Sequence, residues 1–238
     1  MLQTLLMMIM FAANLVQAAF NGQEEKRELS LDAAGVETLD IEAGAGSLNV
    51  SGVAGTGRIL VIATIEVPGA NADEAQQVIE EDLVLNLQND GSRAVLAGYF
   101  RDSRRSSNDS PRVNLDVRVP ERLSLDIEDG SGSIEVRDVN GGIELEDGSG
   151  SIRVTDNGGP LRIRDGSGSI EIERAGGDIR IKDGSGSITV AEVEGSVTIE
   201  DGSGSIDARD IAGDLVVPDE GSGSFDYSNV AGRVVTGD

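Results

Sequence analysis

An aspartate followed by Gly-Ser-Gly-Ser-Ile recurs at Asp129, Asp147, Asp165, Asp183 and Asp201, each 18 residues from the last. Carboxylates held at one position of a repeating unit can stack into a column of hard oxygen ligands. With Ser131, Ser149, Ser167, Ser185 and Ser203 beside them, and turn carbonyls close by, such a column could bind calcium or a similar hard cation weakly. The same residues could do something plainer, each Asp accepting a hydrogen bond from the backbone of its own turn. The sequence keeps both readings open and weights them toward capping, with the cation ladder as the alternative.

Other chemistry has little to build on. Paired carboxylates serve glycosidases, but here the acidic pairs repeat along columns instead of meeting at one distinct place. The chain has no tryptophan and only Tyr99 and Tyr227 as tyrosines, so platforms for sugar rings or bases are scarce. It has no histidine and no cysteine, which excludes zinc-thiolate sites, disulfides and imidazole acid–base catalysis. The expectation is a non-enzyme, with no catalytic residue, no cofactor and no metal beyond that ladder. A net charge of −24 repels phosphate backbones and anionic headgroups, so neither nucleic acid nor an anionic membrane surface is an expected partner.

The elements that position the aspartates come from the same period. Leu125, Ile134, Ile143, Ile152, Leu161, Ile170, Ile179, Ile188, Val197, Ile206 and Leu215 lie nine residues apart, and most have a second aliphatic two residues on. This predicts coils of 18 residues, each with two short strands turning two aliphatics inward. One corner is the DGSGS turn, and the other is looser, as in Val139-Asn140-Gly141-Gly142. Glycine is expected to supply the positive φ at these corners. A lone coil orders too many residues for the apolar surface it buries, so the coils must stack. The charges suit an 18-residue register in part. Glu135, Arg153 and Glu171 share one column, and Glu146, Arg164, Lys182 and Glu200 another, although Arg162–Arg180 and Arg164–Lys182 set like charges together.

Upstream, Val36–Glu42, Ser47–Val50, Arg58–Val67, Leu83–Leu87, Arg93–Phe100 and Val113–Val119 read as strands, with Asn89-Asp90-Gly91 as a hairpin turn. Asn71–Leu83 is the one convincing helix. Arg101–Arg112 contains no apolar residue and reads as an exposed loop. The apolar N-terminus with Val16-Gln17-Ala18 reads as a cleaved export signal over residues 1–18. The absence of cysteine excludes a lipoprotein anchor. The expected organisation is therefore a β-rich region over 19–119 with its helix near 71–83, then a β-solenoid over 120–238. Residues 218–238, where Pro218, one extra residue, Phe225 and Tyr227 break the pattern, should close the solenoid as a cap.

Two other repeat folds fail on spacing: hexapeptide helices need an apolar residue every six positions, and calcium-binding nonapeptides need Asp where Gly132 stands before Ile134. The stretch VPERLSLDIEDGSGSIEVRDVNGGIELEDGSGSI resembles the putative-adhesin family of bacterial envelope proteins, with its V-P pair leading into a strand and its repeated G-S-G coils. The block IEAGAGSLNVSGVAGTGRILVIATIEV, followed by a helix, is similar to the N-terminal half of that family, so the resemblance spans residues 37–238. It implies an exported all-β solenoid, periplasmic or on the cell surface, that acts as an adhesin-like scaffold or interaction module. It brings no catalytic residues and leaves the partner unidentified.

Overall fold

Alternating inward aliphatic and outward polar residues fold this chain as two long sheets that face each other across a thin aliphatic core. The computed structural model describes residues 18–20, 24–101, 110–219 and 221–237. Residues 1–17 of the export segment and 102–109 of the arginine-rich loop lie outside them.

The N-terminal part contains β1 (Ala18–Phe20), β2 (Glu24–Asp32), β3 (Thr38–Ala43), β4 (Ala45–Val53) and β5 (Arg58–Glu66). Helix α1 (Ala72–Asp82), β6 (Leu83–Asp90), β7 (Arg93–Phe100) and β8 (Arg112–Pro120) follow. Asn71 starts the helix by a reciprocal box: its Oδ1 accepts from Glu74 N–H (3.1 Å), and its own N–H donates to Glu74 Oε2 (3.1 Å). Ala75 and Ile79 bury the helix's inner face.

From Ser124 the chain winds in coils. Its strands are β9 (Ser124–Asp129), β10 (Ser131–Arg137), β11 (Ile143–Asp147), β12 (Gly150–Asn157), β13 (Leu161–Asp165) and β14 (Gly168–Ala175). They continue as β15 (Ile179–Asp183), β16 (Gly186–Val193), β17 (Val197–Asp201), β18 (Ser203–Ile211), β19 (Leu215–Asp219), β20 (Ser222–Val230) and β21 (Val234–Thr236). Odd-numbered strands from β9 to β21 extend one sheet, and even-numbered ones from β10 to β20 the other. Pairing is parallel at an offset of 18 residues, Ile134 on Ile152 on Ile170 and Leu161 on Ile179 on Val197. The molecule is an all-β solenoid of about six such turns.

Both sheets run through residue 120 without a break. β3 pairs with β9 and β4 with β10, in parallel, so that Gly46-Ser47-Leu48 lies on Gly132-Ser133-Ile134. Residues 38–53 thus form one more coil, separated from the rest in sequence by β5 to β8. Antiparallel β5 and β2 extend one sheet beyond β8, and β7 with β6 ends the other. Arg122 ties this end to the coils, donating to Val36 O (2.8 Å) and Ala33 O (2.9 Å).

The opposite end consists of one further coil. The extra residue is taken up as a register shift between β17 and β19. Phe225 and Tyr227, stacked at 5.3 Å, pair in register with Ile206 and Ala208.

The corners differ from the expectation in one respect. In the DGSGS turns glycine does take positive φ, as at Gly168 (+148°). In the looser turns the positive φ falls instead on Asp138, Asp156, Arg174, Glu192, Asp210 and Asn229. The glycines beside them answer a different need, close approach: a Cβ on Gly159 would lie 2.3 Å from Gly141 O in the coil below. The first five of these left-handed residues each precede an inward side chain, which adds a buried position at Val139, Asn157, Ala175, Val193 and Ile211. Asn157 fits among aliphatics because its Nδ2 donates to Gly159 O at 2.6 Å.

Candidate functional site

The aspartate column lies inside the molecule. On β13 the side chains of Leu161, Ile163 and Asp165 share the inward parity of a strand, and all three are buried. Asp147, Asp165, Asp183 and Asp201 are 7%, 7%, 4% and 2% exposed, while Asp129 is half-buried. They stack directly, Asp129 on Asp147, Asp147 on Asp165, Asp165 on Asp183 and Asp183 on Asp201, at the ~4.8 Å spacing of a sheet.

In the four deeper residues each carboxylate has two unlike oxygens. Oδ1 caps the turn, accepting from Ser149 N–H under Asp147 (3.2 Å), Ser167 N–H under Asp165 (3.2 Å), Ser185 N–H under Asp183 (3.2 Å) and Ser203 N–H under Asp201 (3.1 Å). Oδ2 is buried with no hydrogen-bond partner, and at Asp129 both oxygens are so placed. The turns themselves are bonded coil to coil, with Gly166 N–H donating to Asp147 O (3.0 Å) and Gly184 N–H to Asp165 O (3.0 Å).

A buried carboxylate with an unsatisfied oxygen favours its neutral form. Burial, and then the charge of Asp147, pushes Asp129 up to about 7. Burial, and then the charge of Asp165, pushes Asp183 up to about 6. Burial likewise raises Asp147, Asp165 and Asp201. A proton on Oδ2 turns an orphaned acceptor into a donor and removes the charge that burial disfavours. The arrangement therefore suits carboxyl groups that cap turns and hold protons. Among the described residues no group of three or more acidic side chains is placed to hold a metal ion.

Outside the core the charged columns form as their register demands. Arg153 pairs with Glu171 and Arg164 with Glu146, while Lys182 meets Glu200 at 3.6 Å and Arg162 meets Glu144 at 3.5 Å. Arg174 grips Asp156 with two bonds (2.7 and 3.0 Å), which holds the Asp156 carboxyl below its ordinary range. These ladders are exposed and repeated; Glu144 and Arg162, with Arg93, Asp126 and Arg180, line a shallow hollow of about 570 Å³ on the outer face of their sheet. What sequence reasoning missed is the inward aim of the aspartates, legible from their parity with Leu161 and Ile163.

Fold and column together define a β-solenoid with a buried acidic ladder. Solved structures with the same architecture are known. A putative adhesin from Bacteroides fragilis NCTC 9343 has a TM-score of 0.52 at 11% identity, over 89% of this chain and 93% of that one. A putative lipid binding protein from Parabacteroides distasonis ATCC 8503 has a TM-score of 0.51 at 15% identity, over 92% of this chain and 96% of that one. At these identities the likeness is one of fold. No protein-family model matches the chain, and no curated protein does. Among the described residues no helix is long and apolar enough to cross a membrane.

Proposed function

We propose that this chain is an exported, non-catalytic envelope or surface protein whose stiff solenoid presents its outer faces to a partner, in the manner of an adhesin-like scaffold. The observation that carries the reading is the uniformity of the coils. The inward aliphatics, the aspartate and the Gly-Ser-Gly-Ser turn recur in the coils from Ser124 to Asp201, while the outward residues vary in charge along open, exposed ladders. The fold shared with the Bacteroides fragilis protein over nearly the whole of both chains supports it, as does the apolar N-terminus with its Val16-Gln17-Ala18 site. A lipid-binding role, suggested by the Parabacteroides distasonis neighbour, fits the interior less well. The coil core is filled by its own aliphatics, Ile163, Ile172 and Val190 among those with no exposed surface.

Protease shaving of intact cells, combined with crosslinking, tests the proposal. Release of solenoid fragments, or crosslinks to an envelope protein, is the expected result. A protein that retains Met1 and stays protected with the cytoplasmic fraction would overturn it.

A second form of this reading makes the solenoid cation-responsive, and the unpartnered Oδ2 atoms favour it. Millimolar calcium would then raise the melting temperature beyond sodium at matched ionic strength, and Asp165→Asn would diminish the gain. If the column holds protons, calcium does no more than screen.

A further inference from the structure

The outer face of the sheet where β2, β5, β8, β4 and β10 lie side by side carries two adjacent rows of opposite charge. One row reads Glu28, Ile62, Asp116, Asn49, Glu135 across the five strands, and the next reads Ser30, Leu60, Arg118, Ser51, Arg137. The rows are two residues apart along each strand, about 7 Å. Leu60 and Ile62 are exposed at 40% and 39%. Among the described residues Glu28, Glu135 and Arg118 form no ion pair, and Arg137 reaches only Asp138, at 3.9 Å.

We propose that this face is a homotypic contact, its occupant a second copy of the same chain. A two-fold axis in the plane of contact, parallel to the rows and midway between them, lays each row on the other. Asp116 then meets the copy's Arg118, Glu135 meets its Arg137, and Ile62 meets its Leu60, with the same three contacts returned. Such self-complementarity is what an isologous interface requires. The face is a shallow hollow of about 860 Å³ whose lining includes Leu60, Ile62, Asp116, Arg118, Glu135 and Arg137. Complementarity ends at β12, where Arg153 enters the acidic row and would face Thr155. The patch is five strands, or roughly 20 Å, wide. A contact of that size belongs with small, weak interfaces. The inference stands on the charge rows and does not depend on export or on any other partner.

Charge reversal tests it with the whole chain. Sedimentation velocity is run at about 0.15 M salt, where long-range repulsion between acidic copies is screened. The expected result is concentration-dependent self-association that Asp116→Arg and Arg118→Asp each weaken by about tenfold or more, since each sets like charges face to face. Mixing the two variants restores it, because the arginine introduced in one copy then meets the aspartate introduced in the other. Glu135→Arg and Arg137→Glu repeat the test two strands away. A native chain that stays monomeric at millimolar concentration overturns the proposal. So do reversals without effect, or a mixture no tighter than its components.

Discussion

Asp165 sits directly above Asp147 in a parallel strand pair, and each has one carboxylate oxygen bonded to a turn amide and the other bonded to nothing. The first oxygen explains why the residue is Asp or Asn-like at all; the second explains why an ionised column is unfavourable. Two unit charges at that spacing repel by about 0.9 kcal/mol in water and by more where solvent is excluded.

Substituting Asp165 separates the two oxygens. Asp165→Asn keeps the cap to Ser167 N–H and removes a charge, so it should stabilise the protein by roughly 1 kcal/mol near pH 8. The gain should fade as pH falls, because burial raises Asp165 and its neighbours and they take up protons earlier than ordinary carboxylates. Asp165→Ala removes the cap as well and should destabilise at pH 4 by about 1 kcal/mol. Urea melts of the three proteins at both pH values check this. Equal stabilities at pH 8 and pH 4 would count against it.

Register can be tested by deletion. Removing Asp147–Arg164 joins Glu146 to Asp165 and restores every column, so a shorter folded protein is expected. Removing Asp147–Thr155 joins unlike corners and should give unfolded or aggregated material. Circular dichroism melts distinguish them, and similar melting temperatures would show that 18 residues is not the structural unit.

Much of this architecture can be read from the residues. The period of Asp129 to Asp201, the paired aliphatics and the helix-forming run Asn71–Leu83 each dictate a local structure that survives in the fold. The coil of β3 and β4 is harder to see, because Gly44-Ala45-Gly46-Ser47 has lost the leading Asp, Ala43 standing in its place, and an insertion parts it from the rest. The inward column of Val139, Asn157, Ala175, Val193 and Ile211 mixes sizes and polarity, which hides its period. The charge rows of the outer face combine residues 28 to 137 from five strands, and only the sheet order brings them together.

Close approach of the coils makes one glycine column intolerant. A Cβ on Gly168 would lie 1.6 Å from Gly150 O, and its φ of +148° is one that other residues rarely adopt. Gly168→Ala should therefore cost about 3 kcal/mol or more. Gly57→Ala, with open space around its Cβ position, should stay within about 0.5 kcal/mol of the native protein. Chemical denaturation compares the two, and a mild effect at Gly168 would contradict the stacking described here.

Stability should also follow pH in a stated direction. The folded-state values of the column are raised, so the folded protein binds more protons than the unfolded chain. The stabilisation is complete below about 4, the ordinary carboxylate value, and is lost as pH rises through the range of about 6 for Asp183 and about 7 for Asp129. A triple Asp147→Asn, Asp165→Asn, Asp183→Asn variant should flatten this dependence. An equal charge change on the outer face, at Glu135, Glu171 and Glu200 as Gln, should leave most of it. Matching slopes for the two triple variants would assign the effect to general repulsion instead.

The central claim, that the solenoid carries a buried column of proton-holding carboxyls, is tested most directly by carbon-13 titration of the aspartate side chains in the folded protein. The expected midpoints are about 6 for Asp183 and about 7 for Asp129, with Asp147, Asp165 and Asp201 above the ordinary range. Asp156, gripped by Arg174, should titrate below that range in the same spectra. Midpoints near 3.9, the ordinary value, for all five column residues would contradict it.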